Sequence, residues 1–146
     1  MTKTLIAAAL ALAAGVAAAQ STPAGLWKTI DDDGKTEKSL VRITDNGGVY
    51  GARIEKVVNP DKQNAKCNQC TDERKGQPLV GLNIIRNVKA AAGDDNLWDG
   101  GDILDPEDGK VYKVRMKLVD GGKKLDVRAY IGAPLLGRTQ TWIRME

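Results

Sequence analysis

Between residues 112 and 118 every second side chain is apolar: Tyr112, Val114, Met116 and Leu118 alternate with Lys113, Arg115 and Lys117. A period of two belongs to a β-strand, whose successive side chains point to opposite faces. Leu125, Val127, Ala129 and Ile131 repeat the pattern, so both stretches predict strands with one face buried and one wet. Short runs rich in Val, Ile and Leu recur along the chain between Gly and Asp clusters. They predict eight strands, over residues 26–30, 38–44, 49–58, 79–88, 97–104, 110–119, 124–131 and 138–145.

The connectors carry turn chemistry. Asp33-Gly34, Asn46-Gly47-Gly48, Asp105-Pro106-Glu107-Asp108-Gly109 and Asp120-Gly121-Gly122 combine residues that tolerate positive φ with a proline that presets φ. Consecutive strands should therefore pair as antiparallel hairpins. Eight strands in meander order either form a sandwich or close into a barrel, and closure removes the two exposed edges. The expected fold is all-β, a single eight-stranded antiparallel up-and-down barrel. One segment is ambiguous: Leu79, Leu82, Ile85 and Val88 fall at roughly helical spacing, so a short helix within 79–92 competes with the strand. The connector 59–78 is too long for a bare turn, and loops of that length are usually functional or tied down.

The first 19 residues read as a signal peptide rather than as part of the fold. Lys3 supplies a basic start, Leu5 to Val16 is an apolar run too short to span a bilayer, and Ala17-Ala18-Ala19 is a small-residue cleavage site before Gln20. Cleavage after Ala19 would leave residues 20–146 as a single barrel domain in the periplasm or secreted. No later apolar stretch reaches transmembrane length.

Composition narrows the chemistry. Among 146 residues there is no His, which removes Ser-His-Asp and Cys-His nucleophile systems, imidazole general bases and His metal ligands. The 22 Lys plus Arg against 19 Asp plus Glu leave a net charge of +3. That weak charge, with few aromatics, gives no footprint for nucleic acid. Acid and base are segregated, with acids over 94–108 and bases over 110–128, and cross-strand pairing between these neighbours is expected to neutralise them.

Cys67-Asn68-Gln69-Cys70 is the one thiol pair, set in the long connector. In an oxidising compartment the pair reads as a disulfide pinning a loop. A redox-active dithiol is the alternative, although the surrounding sequence lacks the βαβ context such a motif needs. A zinc site would require further ligands that no His or third Cys supplies. Asp31-Asp32-Asp33-Gly34 and the acids of 94–108 lack the full calcium-loop pattern and read as solvated turns. No metal, cofactor or catalytic residue is expected.

Gly25-Leu26-Trp27 opens the first strand, and Arg138-Thr139-Gln140-Thr141-Trp142-Ile143-Arg144 forms the last. In a closed barrel these strands are neighbours, so a Trp can plug an end while an Arg stacks across it. Trp27, Arg138, Trp142 and Arg144 are the barrel-end candidates. The G-x-W with a basic last strand resembles the lipocalin and calycin barrels. A fuller set of motifs resembles a family of exported bacterial proteins, the DUF2147 type: Gly25-Leu26-Trp27, Cys67 with Cys70, Pro78-Leu79-Val80-Gly81-Leu82, 98–106, Gly109-Lys110-Val111-Tyr112, and 130–132 with 137–142. The resemblance implies a lipocalin-like barrel in the cell envelope and brings no catalytic residue with it.

The expected function is non-enzymatic binding of a small apolar or amphipathic ligand, with Tyr112, Val114, Met116, Leu118, Leu125 and Val127 lining the lumen. The same residues would serve equally as plain core. A thiol redox protein using Cys67 and Cys70, and an envelope protein–protein interaction module using the 59–78 loop, are the other readings.

Overall fold

A computed structural model describes residues 21–146. The expected signal peptide, residues 1–19, lies outside the described residues. Eight strands follow one another around a closed antiparallel barrel: β1 (Gly25–Ile30), β2 (Glu37–Asn46), β3 (Val49–Val57), β4 (Asn83–Ala90), β5 (Leu97–Leu104), β6 (Val111–Val119), β7 (Lys124–Tyr130) and β8 (Gly137–Arg144). Closure is made by β1 on β8, where Trp27 faces Arg144 and Lys28 faces Ile143.

The alternation read from the sequence holds in β6 and β7. Val114, Met116, Leu118, Leu125 and Val127 are buried, while Lys113 and Lys117 are exposed. Full burial of one such aliphatic side chain contributes about 1.5–3 kcal/mol. The alternation ends with β7, however. Ile131, expected to continue the inward set, sits beyond the last strand pair and is exposed.

The short helix considered within 79–92 does not form. The two helical turns among the described residues are 3-10 turns at Pro60–Lys62 and Asp120–Gly122. Its helix-like spacing has a β explanation. Tyr50 and Ala52, two residues apart on β3, pair with Val88 and Ile85, which are three apart on β4. The extra residue is accommodated by Asn87 at φ +62°, a left-handed conformation that Asn tolerates better than most side chains. The bulge returns Ile85 and Val88 to one buried face. The earlier part of the predicted strand is instead a turn, with Leu82 N–H donating to Leu79 O at 3.1 Å.

The expected neutralisation of neighbouring charge blocks also takes another form. Asp102 pairs with Arg86 (3.6 Å), Asp105 with Arg138 (2.8 Å) and Glu107 with Lys38, so the partners come from β4, β8 and β2 rather than from 110–128. Barrel register and loop placement, not chain proximity, choose them.

Candidate functional site: the open half of the barrel

Up-and-down connectivity sends alternate loops to opposite ends. One end carries the hairpins β2–β3, β4–β5 and β6–β7 together with both terminal segments, and it is plugged. Arg144 lies over the Trp27 ring, 4.4 Å from guanidinium carbon to ring centroid. Its guanidinium donates to the carbonyls of Gly122 (2.7 Å), Ala24 (2.9 Å) and Thr22 (2.6 Å), and the Trp27 indole N–H donates to Pro23 O at 2.8 Å. Burial pulls the Arg144 pKa below its ordinary value. Gly25 leaves the space this plug needs: at φ +143° a Cβ would stand 2.8 Å from Arg144 Nη1 and against the Glu146 carbonyl.

The other end is open. The loops 31–36, 58–82 and 105–110 border a cavity of about 460 Å³, within the range of about 300–1,000 Å³ common for small-molecule sites. Its inner wall is apolar, formed by Ile54, Val57, Ile84, Ile103, Leu104, Val127 and Trp142. Its rim is charged, with Asp31, Asp32, Glu37, Asp105 and Glu107 alongside Lys38, Lys62, Lys66 and Arg138.

A polar ladder climbs from floor to rim. The buried Trp142 indole N–H donates to Gln140 Oε1 (3.0 Å), and Gln140 Nε2 donates to Asp32 Oδ1 (2.8 Å). Arg138 then bridges Asp32 (2.9 Å) and Asp105 (2.8 Å) while stacking over Tyr112 at 5.6 Å. Tyr112 in turn donates its hydroxyl to Asp108 (2.6 Å), an acceptor that raises the phenol pKa. Opposite, Lys38 joins Glu107 and, at 3.7 Å, Asp31; the bond to Glu107 raises its pKa. On the wall, the Thr29 and Ser39 hydroxyls satisfy each other at 2.8 Å.

Of the six residues expected to line the lumen, Tyr112 and Val127 do so. Val114, Met116, Leu118 and Leu125 are packed core rather than cavity wall. The four barrel-end candidates also divide. Trp27 and Arg144 form the plug, whereas Arg138 stands at the open rim and Trp142 in the cavity wall. Residues 138, 140 and 142 alternate in phase, which was the available signal for Gln140. Asp32, Asp105, Lys38, Lys62 and Lys66 lie on loops or strand starts where no periodicity marks a face.

The long loop forms a fixed part of the wall. Cys67 and Cys70 lie at disulfide distance, with Cα atoms 5.4 Å apart and both residues almost fully buried. Cys67 N–H donates to Gln77 O (2.8 Å), Gly76 N–H donates to Cys67 O (2.8 Å), and Lys66 bridges Pro78. The buried Arg74 donates in a fork to Asp72 and to Asn83 O (2.7 Å), tying the loop to β4. Its hydrogen bonds hold the Asp72 carboxyl at a pKa of about 2. Gly109, at φ +73°, lies so close to the Gln69 carbonyl that no side chain fits between them. The disulfide loop and the β5–β6 loop therefore brace each other. On the opposite side the 131–136 loop exposes Ile131, Leu135 and Leu136, braced from below by Arg128 bonds to the Pro134 and Leu135 carbonyls.

Within the 31–34 turn Asp33 serves its own loop: its carboxylate accepts from the Thr36 hydroxyl and, at Oδ1, from Thr36 and Lys35 N–H, both at 2.8 Å, and these bonds lower its pKa. Among the described residues no group of three or more acidic or thiol ligands is placed to hold a metal ion.

A family profile described as "Uncharacterized protein conserved in bacteria (DUF2147)" matches residues 25–144. The chain belongs to the DUF2147 family. The matched span begins at Gly25 and ends at Arg144, so it brackets the barrel from the glycine that makes room for the plug to the arginine that forms it. Among solved structures the chain is similar to one described as "Protein HP1028 from the human pathogen Helicobacter pylori belongs to the lipocalin family". The TM-score is 0.72 at 20% identity, over 84% of this chain and 82% of that one. At that identity the likeness is one of fold: this DUF2147 chain is a lipocalin-like barrel. No curated protein matches the sequence. No helix among the described residues is long and apolar enough to cross a membrane.

Proposed function

We propose that this DUF2147 protein is a non-enzymatic binding protein of the periplasm or the secreted fraction, which holds a small amphipathic ligand in the open half of its barrel. The observation that carries this reading is the two-part cavity. An apolar wall ending on Trp142 suits a hydrocarbon tail, and a rim of charged and hydrogen-bonding groups suits a polar head left near water. The packed half below, closed by Trp27 and Arg144, gives the cup a floor.

Exported location is supported by the signal-like residues 1–19 and by the cysteine pair, since disulfides persist in oxidising compartments. The thiol-redox reading gains nothing from the geometry. Exchange requires a thiolate to reach a sulfur, and both cysteines are almost fully buried. The interaction-module reading would be favoured by a filled lumen, whereas the open half of the barrel holds a cavity.

Native mass spectrometry of protein purified from the periplasm, before and after denaturation, tests the reading. Binding predicts an added mass that is lost on denaturation, or saturable uptake of alkyl amphiphiles by the bare protein. A bare protein that takes up none of them would refute it.

A further inference from the structure

We infer that the ligand of the open half carries an oxygen function, a hydroxyl or a carbonyl, on its buried part, held below the charged rim by Thr29, Ser39 and Gln140. This rests on the binding reading above and adds the ligand's class: an amphiphile that is polar along one edge rather than at its head alone.

The cavity is two-sided. Strands β3, β4, β5 and β7 contribute only aliphatic side chains to its wall, among them Ile54, Ile84, Ile103 and Val127. The polar strand residues come from β8, β1 and β2, which are consecutive around the barrel, with Tyr112 of β6 the exception at the rim. In a closed barrel of eight strands β1 stands across from β5, so the polar strip faces hydrocarbon. The strip also continues below the rim. Thr29 lies two residues from Asp31 along β1 towards the plugged end, a descent of roughly 6–7 Å along the strand, and Ser39 is its partner on β2.

Burial gives these groups their meaning. Thr29 and Ser39 are 5% and 9% exposed, yet both line the cavity. Their hydroxyls bond to each other at 2.8 Å, which uses one of the two hydroxyl hydrogens and leaves the other without an acceptor among the described residues. Gln140 has its orientation set by its neighbours: the Trp142 indole can only donate, to Oε1 at 3.0 Å, and the Asp32 carboxylate accepts from Nε2 at 2.8 Å. The second N–H of Gln140 has no acceptor among the described residues. A plain alkyl tail laid against this strip would shut both donors off from water and leave them unpaired. An oxygen on the ligand accepts from them in the same space. The wall therefore discriminates by that oxygen, as pockets built to bond a hydroxyl reject analogues that lack it.

Three uncharged probes separate the possibilities: 1-decanol, 1,2-decanediol and 1,5-decanediol, each titrated calorimetrically into the full protein below its aggregation limit. The two diols are isomers that differ in whether the second hydroxyl stays at the head or reaches the depth of Thr29 and Ser39. The 1,5-isomer is expected to bind roughly fivefold to tenfold more tightly than the 1,2-isomer. In the double variant Thr29→Val/Ser39→Ala most of that gap should close, while 1-decanol binds more tightly than it does to the wild type, because the exchange removes a donor that hydrocarbon cannot satisfy. The substitutions keep shape and remove both partners of one bond, so the fold should hold, as circular dichroism checks. Binding of 1-decanol with equal affinities for the two diols, or a preference that the double variant leaves intact, would overturn the buried oxygen while leaving the binding cup standing. Failure of all three probes to bind would instead remove the cup reading and the inference with it.

Discussion

Gly109→Ala isolates how the disulfide loop and the β5–β6 loop depend on each other. The substitution acts in two ways. Gly109 sits at φ +73°, where an L side chain meets its own carbonyl, and a Cβ there also runs into the Gln69 carbonyl oxygen and carbon. The left-handed conformation costs about 1–2 kcal/mol, and forcing a methyl into occupied space adds about 1–3 kcal/mol. Gly121 is a matched control, because it has φ +62° but nothing within 4 Å of the added Cβ. Gly121→Ala should therefore lose only the conformational part, and the difference between the variants measures the collision. Urea unfolding followed by tryptophan fluorescence should show Gly109→Ala less stable than Gly121→Ala by about 1–3 kcal/mol, with unchanged slopes. Gly109→Ala should also weaken ligand binding, since the displaced loop carries Asp105, Pro106 and Glu107 into the cavity wall. Equal losses for the two variants would refute the bracing contact.

Arg144→Leu should destabilise the barrel by about 3–5 kcal/mol in the same urea assay, because it strips three part-buried carbonyls of a charged donor and removes the stack on Trp27; Arg144→Lys, which cannot fork, should fall between. Asp72 has its folded pKa depressed to about 2 from an ordinary 3.8, so its stabilising contribution is complete above about pH 4 and is lost as pH falls towards 2. The wild-type urea midpoint should therefore drop more steeply over that window than the Asp72→Asn midpoint. The buried Cys67–Cys70 bond should resist reductant in native protein and yield once denaturant is added, as read by thiol alkylation and mass, and Cys67→Ser/Cys70→Ser should cost about 2 kcal/mol, the small value expected for so short a ring. Terminal sequencing of exported protein should begin at Gln20, and an intact Met1 in that fraction would refute the cleavage site.

Much of the barrel was legible from side-chain periodicity, because a strand's two faces meet different solvents and its residues must alternate to suit them. The same rule misled at 79–92. Period-two reading assumes an unbroken pleat, whereas the Asn87 bulge shifts the phase by one residue and makes a strand resemble a helix. Alternation also reports only inside or outside, not height along the barrel axis. Tyr112 and Leu118 share a face of β6, yet one stands at the open rim and the other in the packed half.

The amino-acid sequence alone determined the strand count, the turn positions, the inward face of β6 and β7, and the absence of imidazole chemistry, because each of these is set by a few adjacent residues. Tertiary structure alone decided which end is plugged, that the other end holds a cavity, and which charges around it are matched. Arg138 meets Asp32 and Asp105 across 106 and 33 residues of chain. Among the described residues Lys62 and Lys66 form no ion pair, although Asp61 is adjacent to Lys62 in sequence. Ion pairing depends on distances of a few ångströms in space, and in a closed barrel those distances are fixed by strand register and loop placement rather than by order along the chain.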